Sequence, residues 1–384
     1  MREYLLVFLV AASMTYLLTV IAREIAIRTN AVAAVRDRDV HDEPIPYLGG
    51  LAMLGGLVAA WVVARELPFL SRSDDKVFRD SAVVLIAGAL ICAVGVLDDI
   101  FDLDALAKFG GQLLAAGVLV YQGIQYSMVP TSAYNDQVGL DPQQGGLLTV
   151  LIVVATVNAV NFMDGLDGLA AGVVGTGALA FFLYCYQLSG LNNLTLATTG
   201  ALLSAALAGA CVGFLPHNVH PARLFMGDSG SMLIGLVLSA SAITLSGQFN
   251  SAQLERGASG SQASLLPTML PVLLPILLLV LPLGDLVLAV VRRTAAGRSP
   301  FAPDKQHLHH RMLEIGHSHR RAVFIMWLWA ALIAFGTVIV SLYTGPVMWT
   351  GLGVATVLTI AATFLLPIVH RPRLPHLQHG APIP

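Results

Sequence analysis

Charge is what this chain has least of. Of its 384 residues only 11% are Asp, Glu, Lys or Arg, less than half the ~25% usual for soluble domains. Hydrophobic residues reach 56% and the mean hydropathy is +0.75. An ordinary soluble enzyme is excluded. Cysteine is scarce too: Cys92, Cys185 and Cys211 all lie inside apolar runs. They exclude a disulfide framework and a CxxC metal site and read as small packing residues. Strand-like alternation is missing, which excludes a transmembrane β-barrel. A net charge of −2 gives no electrostatic reason to expect nucleic acid as a partner. No internal repeat of the transporter kind is present.

What is there is a series of long apolar runs. They fall at about 4–22, 48–64, 82–97, 106–122, 147–161, 169–188, 194–215, 231–246, 265–291, 322–342 and 347–368, most of them long enough to cross a bilayer as helices. The chain is expected to be an all-α, polytopic integral membrane protein with about eleven transmembrane helices. The first run is long, lacks a good small-residue cleavage site and is followed by Arg23 and Arg28, so it reads as an N-out anchor rather than a signal peptide. Lys and Arg divide unevenly between alternate loops, 15 against 6 of the 21. The positive-inside rule then puts the N-terminus outside and the C-terminus in the cytoplasm. Residues 1–370 form one transmembrane catalytic domain, and the proline-rich 371–384 reads as a disordered cytoplasmic tail. The ninth run holds Pro267, Pro271, Pro275 and Pro282 and is expected to be bent or broken. The loops 124–146 and 247–264 are bland, without a motif.

Polar residues gather in four clusters, each where an apolar run stops and all on the cytoplasmic side. Such groups in a membrane chain mark a functional site by default. In 96–102 (VLDDIFD), Asp98 and Asp99 are adjacent, and Asp102 shares a face with Asp98 if the helix continues. A solvated helix end explains one Asp, but paired carboxylates bind a cation or raise one another's pKa. Lys108 is the nearest positive charge and a natural phosphate contact. In 158–168 (NAVNFMDGLDG), Asn158, Asn161, Asp164 and Asp167 recur every three residues near one face of a helix end. Helix capping needs fewer oxygens than that. In 225–231 (FMGDSGS), Asp228 lies between Gly227 and Gly230 just before a helix, where glycines and a helix N-terminus make an anion cradle and Asp228 a hard ligand. A simple N-cap is the competing reading.

The last cluster, His307, His309 and His310, follows Gly297-Arg298-Ser299-Pro300-Phe301 and Asp304-Lys305. Without cysteine or an HxxxH pair, these histidines suit phosphate or diphosphate better than zinc. His317 and His319 read as surface residues, and Asp285 either pairs with Arg292 or Arg293 or joins the site.

In this order and on this face, the clusters resemble the polyprenyl-phosphate N-acetylhexosamine-1-phosphate transferase family. The likeness runs from 41–50 (HDEPIPYLGG) to His310. The 98–102 and 297–310 stretches look like its UDP-N-acetylglucosamine branch. The muramoyl-pentapeptide branch usually has a lysine in the first motif and a Pro-Leu-His-His-His run in the last, and neither is present. The resemblance implies a Mg²⁺-dependent phosphotransferase, with Mn²⁺ as a substitute. It would move N-acetylglucosamine-1-phosphate from UDP-N-acetylglucosamine to polyprenyl phosphate and release UMP, the first membrane step of a cell-envelope polysaccharide.

Carried over by motif, Asn161 and Asp228 would contact the metal, Phe225 would stack on uracil, and Asp164 and Asp167 would line the nucleotide pocket. Asn158 would join the substrate-binding set and Lys108 would bind the pyrophosphate. Asp98 and Asp99 are the essential pair, Asp98 being the expected base, and His307, His309 and His310 lie near the sugar and phosphates. The family often carries a lysine near the Gly-Gly element, where this chain has Asp42 and Glu43. The implied place is the plasma membrane with a cytoplasmic active site; a homodimer is compatible with it. A cation-coupled transporter is the rival of another class, but it would place carboxylates near mid-membrane and break helices in pairs.

Overall fold

The computed structural model describes residues 1–29, 31–32, 45–130, 137–192, 197–245, 317–343 and 345–365, with three isolated positions between 246 and 316. Ten of the eleven expected apolar runs are helices: α1 (Arg2–Arg28), α2 (Gly49–Glu66), α3 (Asp75–Phe101), α4 (Ala105–Tyr121), α5 (Pro142–Met163), α6 (Leu169–Asn192), α7 (Ala197–Asn218), α8 (Gly227–Leu245), α9 (His319–Leu342) and α10 (Pro346–Leu365). Nine of them are long and apolar enough to cross a membrane, and α4 is shorter. The protein is an all-α, multi-pass membrane protein. The ninth run, 265–291, lies outside the described residues apart from two isolated positions, as do 41–44, 247–264, Asp285, 297–301, Asp304, Lys305, His307, His309, His310 and the tail 371–384.

Three helices, α3, α5 and α8, start a turn or more before their expected runs. α3 begins at Asp75, about two turns before its apolar run, because the Asp74 carboxylate accepts the backbone N–H of Lys76 (2.9 Å) and caps a helix-compatible charged turn. α8 begins at Gly227 rather than at Ser231, which puts Asp228 in the first turn of the helix. The loop 124–146 is less bland than its composition suggests. It holds an antiparallel ribbon, β1 (Met128–Pro130) paired with β2 (Gln137–Gly139), and Asp141 closes a capping box with Gln144 at the start of α5.

α8 is the centre of the bundle. Every residue of α8 except Asp228 is buried, and it packs against α2, α3, α5, α6 and α7. Its glycines and serines let the neighbours come close, the usual device of helix contacts in lipid. A Cβ on Gly95 of α3 would meet the backbone of Asp228 and Ser229, so no other residue permits this crossing. At the other extreme, α10 packs mainly on α9 among the described residues and leaves Val347, Trp349, Val354, Val357 and Phe364 exposed, as a lipid-facing helix does. The three cysteines are buried thiols, none of them in a disulfide.

Candidate active site

The site forms where α3, α4, α5 and α8 meet at one end of the bundle. α3 ends at Phe101, and Asp102 adopts the left-handed conformation (φ 52°) that stops it. Asp102 is thereby turned out and exposed, so the face it would have shared with Asp98 does not exist. Asp98 stays in: it is 9% exposed, its Oδ1 accepts the backbone N–H of Leu103 (2.9 Å), and its Oδ2 faces Lys108 Nζ of α4 at 2.7 Å. The same ammonium reaches Asp228 Oδ2 at 3.2 Å. From α5, Asn161 Nδ2 donates to Asp228 Oδ1 (2.8 Å) and to Ser231 Oγ (2.9 Å). Because a carboxylate can only accept, that edge of Asn161 must be its NH₂, leaving the amide oxygen as a hard acceptor.

Asp99 does something different from its neighbour. Its Oδ1 accepts the N–H of Asp228 (2.8 Å) and its Oδ2 the N–H of Ser229 (3.2 Å). The first N–H groups of a helix lack partners and carry the positive end of its dipole. A carboxylate from α3 thus caps α8, and Gly227, at φ +70°, has no side chain to collide with it. The expected anion cradle for a phosphate is therefore occupied at these two amides by the protein's own carboxylate.

Asp98, Asp99 and Asp228 bring acidic oxygens within 4.8 Å of one another. Three carboxylates against one ammonium leave two negative charges, the deficit one divalent cation fills. Hard oxygens from aspartates and an amide suit Mg²⁺ or Mn²⁺ rather than a thiophilic metal. Asp164, half-buried at the end of α5, feels the same field. Burial first, then the carboxylates of Asp228, Asp99 and Asp167, hold its carboxyl well above the usual range.

The polar residues of 158–168 do not act as one set. Asn161 joins Asp228, and Asn158 exchanges hydrogen bonds with Gln112 of α4. Asp167, only 5% exposed, accepts from Ala222 N–H (3.1 Å) and pairs through Oδ2 with His220 Nδ1 (2.8 Å). The segment 46–50 is tied to 225–226: Phe225 N–H donates to the Pro46 carbonyl (2.8 Å), and Gly49 and Gly50 N–H donate to the carbonyls of Phe225 (3.1 Å) and Met226 (3.2 Å). Half-buried Phe225 lies against Tyr47, ring centroids 5.8 Å apart, so the two motifs meet at the ring expected to stack on a base.

His317 and His319 are not surface residues. Each is under 10% exposed; His317 Nε2 lies 2.9 Å from the Thr363 carbonyl of α10. His319 stacks on His220 at 4.3 Å and 19°. With Asp167 they form a second group of metal-capable side chains. Imidazole lone pairs lie in the ring plane, however, and near-parallel stacked rings do not aim them at one ion. The cluster instead fastens α9 to the bundle, helped by Arg320 Nε on the His220 carbonyl (2.7 Å) and Trp327 Nε1 on the Gly168 carbonyl (3.2 Å).

Sequence reasoning missed Gln112 and His220. Gln112 sits one turn after Lys108 on the same face of α4, a spacing that could have revealed it; nothing local singles out His220.

The sequence model of glycosyl transferase family 4 matches residues 81–246, which span α3 to α8. The chain is similar to the decaprenyl-phosphate N-acetylglucosaminephosphotransferases of Mycolicibacterium smegmatis, at 46% identity over 97% of this chain and 90% of that protein, and of Mycobacterium tuberculosis, at 44% over the same shares. It is 28% identical to the undecaprenyl-phosphate alpha-N-acetylglucosaminyl 1-phosphate transferase of Yersinia pestis, over 86% of this chain and 81% of that one. Likeness of that depth along nearly the whole length, with Asp98, Asp99, Lys108, Asn161 and Asp228 gathered at one end of a helical bundle, settles kinship: the chain belongs to glycosyl transferase family 4, among the polyprenyl-phosphate sugar-1-phosphate transferases.

Proposed function

We propose that this protein transfers N-acetylglucosamine-1-phosphate from UDP-N-acetylglucosamine to a polyprenyl phosphate, at the cytoplasmic face of the cell membrane, giving polyprenyl-diphospho-N-acetylglucosamine and UMP. The observation that carries the reading is the bridge of Lys108 between Asp98 and Asp228, with Asn161 on the far oxygen of Asp228. Four helices converge there on a group of carboxylates short of one divalent cation, beside an ammonium placed for phosphates. The relatives at 44–46% identity are named for a decaprenyl phosphate, which supports decaprenyl as the acceptor class.

The reaction joins an anionic lipid to an anionic donor, so neutralising charge is the main demand. Asp228 and the Asn161 oxygen would hold Mg²⁺, which when bound supplies that neutralisation at the diphosphate. Lys108 moves from its carboxylate partners to the diphosphate oxygens. Asp98, freed from the ammonium, takes the remaining proton of the lipid phosphate, whose oxygen attacks the phosphorus bearing the sugar. That phosphorus forms a bond to the lipid oxygen as its bond to the UMP oxygen breaks. Phe225, backed by Tyr47, stacks on uracil. Asp99 holds the start of α8, and thus Asp228, in place. His307, His309 and His310 are proposed to contact sugar and phosphate.

Membranes containing the protein, given labelled UDP-N-acetylglucosamine and decaprenyl phosphate, should form a labelled lipid and release UMP. Release of UDP would mean glycosyl transfer and overturn the chemistry. Efficient use of UDP-N-acetylmuramoyl-pentapeptide in place of UDP-N-acetylglucosamine would overturn the donor.

A further inference from the structure

Asn158 and Gln112 lie one helical turn further into the bundle, along α5 and α4, than Asn161 and Lys108. Gln112 follows Lys108 by four residues on α4, and Asn158 precedes Asn161 by three on α5, so each shares a helix face with a member of the site. The two amides exchange hydrogen bonds in both directions: Asn158 Nδ2 donates to Gln112 Oε1 (2.6 Å), and Gln112 Nε2 donates to Asn158 Oδ1 (3.3 Å). Asn158 Nδ2 also donates to the Val154 carbonyl of its own helix (2.8 Å). A carbonyl can only accept, so this contact fixes which end of Asn158 is NH₂, and with it the orientation of Gln112. Gln112 is 3% exposed, and its second N–H contact is Met232 Sδ of α8 at 3.7 Å.

Both donors of Asn158 are therefore engaged within the protein. That argues against the direct substrate contact expected from the motif, although the side chain lies at an exposed position. In an apolar setting an amide left without its partner is costly, so the pair resists sliding of α4 along α5. We propose that Gln112 and Asn158 are positioning residues: their reciprocal amide pair sets the register of α4 against α5, and so holds Lys108 and Asn161 on opposite oxygens of Asp228. This rests on the function proposed above. It predicts an effect on the chemical step and on cation binding that exceeds any effect on donor affinity.

The test compares purified Gln112→Leu, Asn158→Leu, the double leucine variant, and the exchanged pair Gln112→Asn with Asn158→Gln. Each leucine variant should lose about 10- to 100-fold in kcat, the scale of an ångström-sized misplacement, with a smaller change in the UDP-N-acetylglucosamine KM that is alike in both. The double variant should be no worse than either single one, because one shared interaction is lost. The exchanged pair should recover most of the kcat. Mn²⁺ binding, read by paramagnetic resonance without substrate, should weaken in the leucine variants and return in the exchanged pair.

Thermal unfolding separates lost fold from lost geometry. If the leucine variants do not accumulate, the exchanged pair alone decides: near-normal kcat and Mn²⁺ affinity support the proposal, and loss of both overturns it. A raised donor or acceptor KM in Asn158→Leu with Gln112→Leu unaffected would make Asn158 a substrate contact and overturn it. So would leucine variants that are less stable but have normal kcat and Mn²⁺ affinity. A native protein that releases no UMP would instead remove the functional reading, while the Mn²⁺ comparison still tests the pair.

Discussion

The ammonium of Lys108 stands 2.7 Å from Asp98 and 3.2 Å from Asp228, joining the end of α3 to the first turn of α8 through α4. Removing it would leave two carboxylates facing each other without a cation between them. Lys108→Met should lower kcat by about 10²–10³-fold, the scale of deleting one preorganised charge partner. Asp98→Asn should abolish lipid transfer while UDP-N-acetylglucosamine still binds by calorimetry. Trapping a phosphorylated enzyme with the donor alone, before any lipid is added, would show a covalent route and refute Asp98 as a base in direct displacement.

Asp99 is predicted to matter for stability as well as for rate. Its two oxygens cap the N–H groups of Asp228 and Ser229. Asp99→Ala should therefore destabilise the protein by about 1–2 kcal/mol, the upper range for lost caps. Asp99→Asn, which keeps one acceptor oxygen, should lose less. The check is the melting temperature in detergent. Equal stability of Asp99→Ala and the native protein would show that the cap carries no weight.

Much of this was legible in the sequence because hydropathy dictates it. Ten of the eleven expected runs are helices, since a stretch without charges in lipid has no alternative to satisfying its own backbone. What escaped were one local stop and the decisions made by partners distant in the chain. Asp102 leaves the site because α3 stops one residue earlier, a choice a left-handed cap makes locally. His319 is buried where α9 brings it over His220, 99 residues away in sequence. Asp98 and Asp99 look equivalent on paper. In the fold one faces the ammonium and the other a helix end, since adjacent helical residues point about 100° apart.

Cation dependence and pH should be linked through Asp164. Its carboxyl is held well above the usual range by burial and by Asp228, Asp99 and Asp167. A raised acid contributes stability that is present below its unfolded value, about 3.9, and lost as pH rises through the higher folded value. With chelator present, the melting temperature should therefore fall as pH rises above about 4, and Asp164→Asn should flatten the fall. Mg²⁺ or Mn²⁺ should offset it by neutralising the neighbouring carboxylates. Activity should vanish with chelator, return with either metal, and be lost in Asp228→Ala and Asn161→Ala. Rescue by zinc alone would revive histidine ligation.

The proposed function carries an expected orientation, with the site open to the cytosol that supplies the UDP-sugar. Ala105 begins α4 beside the site, and Ser71 lies in the α2–α3 connection at the opposite end; both are exposed. The native cysteines are buried, so background labelling should be low. In intact cells, Ser71→Cys should react with an impermeant maleimide, and Ala105→Cys only after the membrane is opened. The reverse pattern would turn the bundle over. The Lys108–Asp98–Asp228 bridge would then face away from its donor, and the cytoplasmic site would be wrong even if the purified protein still released UMP.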